Sequence, residues 1–197
     1  MTRNPKIIAA LALAGVFVSA LIGIMIWVAA DSARPGPFNA HFQLVNDRGE
    51  PVDQSIFKGS PALVYFGYTH CPEVCPTTLF EMADWMNTLG ADGKPLKAYF
   101  FSIDPERDTP EIMHKYLGAI SDRITGITGD PAQMKKVIDG WMIYAAKLPS
   151  EDGNYHMSHT ISLLLVGPDG RLKDMIPYET EKDKALDTIR ATLLKQS

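Results

Sequence analysis

The chain has 197 residues, 46% of them hydrophobic and 21% charged, a composition with room for one sizeable globular domain plus an appendage. Its formal net charge is −4, and beyond Ala30 it carries 17 Lys and Arg against 23 Asp and Glu, which disfavours nucleic acid as a partner. The same balance suits docking to a basic protein surface or attraction of a cation.

The appendage comes first. Ile7 to Ala30 is a run of 24 residues without a charge, which as a helix would reach about 36 Å against a hydrocarbon core of about 30 Å. Arg3 and Lys6 precede it and Asp31 follows, so the positive-inside rule puts the short N-terminus in the cytoplasm and the rest outside. Val28-Ala29-Ala30 would suit a signal-peptide cleavage site, but the run exceeds the usual apolar length of a signal, which favours an uncleaved anchor over residues 1–30. There is no Arg-rich, Ser-rich transit sequence, so the expected location is a bacterial inner membrane with a globular domain in the periplasm, an oxidising compartment. Residues 31–37, Asp-Ser-Ala-Arg-Pro-Gly-Pro, read as a linker to a domain spanning 38–197.

Within that domain, alternation from His41 to Val52 around Asn46-Asp47-Arg48-Gly49 predicts a hairpin. Ala62 to Phe66 is a continuous apolar run bounded by Pro61 and Gly67, as expected of a strand buried on both faces. It leads directly into Tyr68-Thr69-His70-Cys71-Pro72-Glu73-Val74-Cys75-Pro76, which holds both cysteines of the chain. Leu79, Met82, Ala83, Met86 and Leu89 then keep helical spacing up to Gly90, predicting a helix over about 76–89 with Pro76 at its first position and both thiols in the preceding loop.

A second apolar strand is predicted over Lys97 to Ile103, ending at Asp104-Pro105-Glu106-Arg107-Asp108-Thr109-Pro110, from which a helix runs to about Gly118. Asp130-Pro131 reads as the cap and first position of a helix to about Ala146. Ile161 to Val166, Pro168-Asp169-Gly170 and Leu172 to Ile176 read as a hairpin, and Thr180 with Asp183 as a capping box for a last helix. The order predicts a mixed α/β sheet with helices on both faces, with active residues beyond the carboxyl ends of its central strands. Cys71 falls there.

A thiolate is both a redox nucleophile and a soft metal ligand, so the cysteine pair offers a disulfide, a metal site or both in turn. Two buried apolar residues would be the plain alternative, but prolines and turn residues around both argue for a bend. On a helix the two Cα atoms would stand about 6.2 Å apart, inside the disulfide window but off its mode. The extra residue relative to a Cys-x-x-Cys motif tilts the pair towards a metal, and a third ligand is then sought among His41, His70, His114, His156 and His159. His159 is the best placed, at the entrance of the predicted strand 161–166, whereas His156 lies further back. His41 and His114 read as ordinary hydrogen-bonded histidines, and His70 and His156 at most as auxiliaries in capture or in lowering a thiol pKa. Two sulfurs and an imidazole form a trigonal set suited to Cu(I), able to take Cu(II) with an added oxygen; zinc would want a fourth ligand. Met82 and Met86 sit at core spacing and read as packing.

With these residues in view the chain resembles the Sco/SenC family of membrane-anchored copper proteins. The likeness spans essentially the whole domain: Gly36-Pro37-Phe38, Tyr65-Phe66-Gly67-Tyr68-Thr69 with Cys71-Pro72 and Cys75-Pro76, Ser102-Ile103 with Asp104 through Pro110, and Tyr155 through Thr160. The resemblance implies a thioredoxin-like fold, copper held by Cys71, Cys75 and His159, and a part in building the binuclear copper A site of cytochrome c oxidase, by delivering copper or by reducing the recipient's cysteines. The oxidase's copper A subunit, other periplasmic copper chaperones and thiol reductants are the partners it implies, and a metal-free thiol:disulfide oxidoreductase is the competing reading. A peroxidase of the same fold would rest on Thr69-x-Cys71 alone. One departure is Met157-Ser158 ahead of His159, where family members often carry Val-Asp, so the surroundings of that histidine differ. Asp104 and Arg107 match the family's motif and read as a helix cap and a salt bridge.

Overall fold

The computed structural model describes residues 14–26, 41–150 and 153–194, and the chain divides into two compact units, Met1–Pro35 and Gly36–Ser197. In the first unit residues 14–26 are helical with exposed side chains. Among the described residues no helix is long and apolar enough to cross a membrane. The remainder of the expected anchor, the whole of the 31–37 linker and the Gly36-Pro37-Phe38 segment lie outside the described residues.

The second unit opens with the expected hairpin, β1 (Gln43–Asn46) and β2 (Pro51–Asp53). Asn46 builds its turn by accepting the amides of Arg48 and Glu50 on Oδ1, each at 2.9 Å, and Gly49 supplies the left-handed residue with φ 78°. Next, β3 (Ala62–Gly67) is buried at every position. It lies between β4 (Lys97–Ser102), parallel to it, and β8 (Leu163–Val166), antiparallel to it. With β5 (Thr125–Thr128) and β9 (Leu172–Ile176) they form a seven-stranded sheet in the order β2-β1-β5-β4-β3-β8-β9. Among the described residues four α-helices accompany it: α1 (Val74–Leu89), α2 (Pro110–Gly118), α3 (Pro131–Gly140) and α4 (Lys182–Leu194). A mixed sheet flanked by helices is the architecture expected of a thioredoxin-like domain.

Alternation along β3 and β4 divides the core in two. Tyr65 stacks with Phe100, which meets Tyr116 of α2, on one face. Phe66 and Phe101 point to the other, where they gather Phe42, Phe57 and Trp141. Trp141 explains why α3 ends at Gly140 instead of near Ala146: its indole is drawn into that cluster, and Met142 follows in the left-handed region with φ 54°. The chain then turns into β6 (Ala145–Pro149), paired only with β7 (Tyr155–His159) in a separate two-stranded sheet.

Three further expectations are corrected. His159 closes β7 and does not open the strand that pairs with β3, because the chain leaves the hairpin and turns again before β8. The helix after the cysteine loop starts at Val74 with Glu73 as its cap residue, so Cys75 and Pro76 lie in its first turn; proline is tolerated there because first-turn amides have no partner within the helix. Thr180 forms no capping box: its hydroxyl donates to the Pro177 carbonyl at 2.7 Å and α4 begins at Lys182. Trp141→Ala is expected to cost about 3–5 kcal/mol, the usual range for emptying an aromatic core site, measured by urea unfolding.

Candidate metal centre

β3 delivers the chain to the site and ends at Gly67 for a steric reason. A methyl group added there would lie 2.7 Å from the Phe100 ring and 2.9 Å from Cys75 Sγ, so only glycine leaves the sulfur its place. Tyr68 follows, buried, and its carbonyl accepts the Cys71 amide at 3.3 Å in a tight turn. The Glu73 side chain makes no cap hydrogen bond to α1. Instead Cys71 Sγ accepts the backbone N–H of Cys75 at 3.3 Å, so a sulfur stands where a side-chain oxygen normally caps a helix.

The two thiols are both free and unlike one another, Cys71 half-buried and Cys75 buried. The Cys75 thiol, followed by the amides of Cys75 and Glu73, hydrogen-bonds the Cys71 sulfur and, against partial burial, pulls its pKa well below the ordinary thiol range, to about 4. Cys75 moves the other way, because its proton is held by the Cys71 thiolate and burial disfavours a second charge. The Tyr65 hydroxyl donates to Cys75 Sγ at 3.6 Å from beneath. The geometry therefore favours the charge on Cys71 and the proton on Cys75.

His159 reaches the same place from β7. Its Nδ1–H donates to the Thr160 carbonyl at 2.7 Å, which fixes the tautomer and leaves the Nε2 lone pair facing Cys75 Sγ at 3.7 Å. Tyr65 and Tyr68 meet the imidazole edge to face, with ring centroids at 6.2 and 5.9 Å. A trigonal ion with bonds of about 2.3 Å to sulfur and about 2.0 Å to nitrogen needs an S···N edge of about 3.7 Å. The Cys75–His159 edge thus has the required length, and the donor chemistry fits a soft ion. Among the described residues no group of three or more His, Cys, Asp or Glu is already drawn together around an ion position.

Of the five histidines only His159 meets the cysteines. His156 is exposed on the opposite face of β7, and His41 is exposed. His70 is exposed as well, with Nδ1 3.1 Å from Thr69 Oγ1, and His114 pairs with Asp47 at 2.8 Å. Both arms of the centre are held by the Asp104–Pro110 segment. Asp108, fully buried, accepts Thr69 Oγ1 at 2.6 Å, the Thr69 amide at 3.2 Å and Ser102 Oγ at 2.7 Å, fixing the start of the cysteine loop. Burial raises its pKa, while the Thr69 and Ser102 bonds oppose the rise. Asp104 and Arg107 reach across to Tyr155 at the start of β7. Reading the sequence alone missed the parts played by Tyr65, Gly67, Tyr68, Asp108 and Tyr155; all lie in recognisable segments, but nothing in their spacing shows what they touch. Iodoacetamide should modify Cys71 readily at pH 6, where an ordinary thiol is almost wholly protonated, with the rate falling only as pH drops towards 4, and should leave Cys75 intact; peptide mass mapping across pH checks this.

The model of the SCO1/SenC family matches residues 30–194. In structure the chain is similar to Bradyrhizobium japonicum ScoI with copper bound, at 40% identity and a TM-score of 0.73, covering 78% of this chain and 98% of that one. It is also similar to yeast Sco1 with copper bound, at 26% identity and a TM-score of 0.74, covering 81% and 89%. Among curated proteins it is 32% identical over 152 residues to the human mitochondrial SCO2 homolog, covering 76% of this chain and 57% of that protein. The chain spans about half the length of the curated relatives it matches, 42%, 57% and 51% for those from Arabidopsis thaliana, Bos taurus and Saccharomyces cerevisiae. A family match over residues 30–194, joined to two cysteines beyond the end of β3 and a histidine of β7 brought against them, places the protein in the SCO1/SenC family.

Proposed function

We propose that the protein is a copper chaperone and assembly factor that takes copper as cargo on Cys71, Cys75 and His159 and passes it by stepwise ligand exchange to the copper A site of cytochrome c oxidase. The observation that carries the reading is the Cys75 Sγ to His159 Nε2 edge of 3.7 Å, with Nδ1 committed to the Thr160 carbonyl, which leaves Nε2 as the nitrogen turned to the sulfur. Family membership and the copper held by the related structures support it. The half-buried Cys71 gives the cargo an accessible first and last ligand, as stepwise exchange requires. A metal-free thiol:disulfide oxidoreductase would use the two thiols but leave the aimed imidazole unexplained, so the three-donor reading accounts for more of the site.

The same proposal places the domain in a bacterial periplasm, tethered to the inner membrane by residues 1–30. Its support is the uncharged run with Arg3 and Lys6 before it. Protease added to spheroplasts should digest the domain; a domain protected until the inner membrane is lysed would overturn the placement. For the site, His159→Ala is expected to weaken Cu(I) binding at least about 100-fold, more than loss of a supporting residue usually costs, in competition with a chromophoric chelator. Affinity equal to that of the parent protein would sink the three-ligand site.

A further inference from the structure

His159 is carried by an element that the main sheet does not hold. Among the described residues β6 and β7 pair only with each other, and an isolated two-stranded hairpin is at best marginally stable in water. Beneath it lies a cleft of about 460 Å³, lined by hairpin residues Ala145, Lys147 and Met157 and by Asp104, Glu106 and Ile138 of the body. Packing therefore leaves part of the hairpin's underside open. The exposed Lys147–Glu106 pair across it, at 2.6 Å, is of the kind that contributes little.

Ala145 and Met157 pack against the core, and one polar cluster ties the start of β7 to the body. The guanidinium of Arg107 lies over the Tyr155 ring, 3.7 Å from its centroid, and Nη1 donates to the Tyr155 carbonyl at 3.1 Å and to Asn154 Oδ1 at 3.3 Å. Its Nε donates to Asp104 Oδ2, and the Tyr155 hydroxyl donates to Asp104 Oδ1 at 2.8 Å, so the three side chains form a closed ring of contacts. The Asp104 side chain is fully buried and that of Arg107 only 18% exposed, which puts these charge-assisted bonds where water competes least. On its far side Arg107 lies 5.8 Å from the ring of Tyr68, the residue that meets the His159 imidazole edge to face. Tyr155, Met157 and His159 share one face of β7, so fixing Tyr155 fixes the register and direction in which His159 is presented.

We propose that Asp104, Arg107 and Tyr155 form a positioning clamp that sets copper affinity by holding the β6–β7 hairpin, and with it His159, against the cysteine loop. None of the three touches the cargo; they act through His159, so the proposal rests on the three-donor reading above.

The test compares the full chain carrying Arg107→Leu with one carrying Asp104→Asn and Arg107→Leu together, the second leaving no uncompensated buried carboxylate. Amide hydrogen exchange of the metal-free protein and Cu(I) competition against a chromophoric chelator are read on both. Expected are faster exchange across Tyr155–His159 with β3 and β8 unchanged, and a Cu(I) affinity lower by about 10- to 100-fold. Added to His159→Ala, Arg107→Leu should lower affinity no further, because both act on one ligand. Unchanged affinity in the double variant, exchange that rises equally in β3 and β8, or a full additional loss on the His159→Ala background would each overturn the clamp. If His159→Ala itself binds copper normally, the three-donor reading fails too, whereas a normal Arg107 variant beside a weakened His159→Ala condemns the clamp alone.

Discussion

A sulfur atom capping a helix is the interaction on which the site depends. Cys71 Sγ accepts the Cys75 amide at the start of α1, where Glu73 makes no side-chain cap. A helix N-terminus favours negative charge, and here that charge is a thiolate. Because Cys75 supplies both the amide and a thiol proton to the same sulfur, ionising one cysteine keeps the other protonated. The spacing of four puts the second sulfur inside the helix turn that stabilises the first.

That arrangement imposes demands on everything around it. Gly67 must lack a side chain so that Cys75 can sit over the end of β3. Tyr65, on the same face, offers its hydroxyl to the buried thiol, and Phe100 backs the ring. Asp108 pins Thr69 so that the loop leaves the strand in one direction. The sheet core supplies rigidity up to this point, whereas His159 comes from a hairpin outside the sheet, so the cysteine pair is fixed by the core and the imidazole is held separately.

Much of this was legible in the sequence, and the omissions have physical causes. The apolar run 62–66, the helix rich in Leu and Met behind the cysteines and the turn at Asn46 carry strong local signals, and they formed where expected. β5 was missed because Thr-Gly-Ile-Thr is four residues long with no alternation to read, and its glycine lies where Met113 and Leu117 of α2 pack close. β6 was absorbed into α3 because Ala145-Ala146-Lys147-Leu148 suits a helix, while the burial of Trp141 that stops α3 is a contact with distant aromatics. β7 has too few apolar residues to announce itself, and it exists because β6 pairs with it.

The sequence by itself singled out two thiols and one histidine by residue type, spacing and flanking context, together with the central strand that leads to them and the family to which they belong. Only the tertiary structure decided which cysteine ionises, which nitrogen of His159 is presented and what holds each of them, since those properties arise from contacts between residues far apart in the chain. Asp104, Arg107 and Tyr155 show the difference most plainly. In the sequence they are a loop motif and a tyrosine 51 positions beyond Asp104; in the fold they are one ring of hydrogen bonds and stacking, because the sheet and the hairpin meet there.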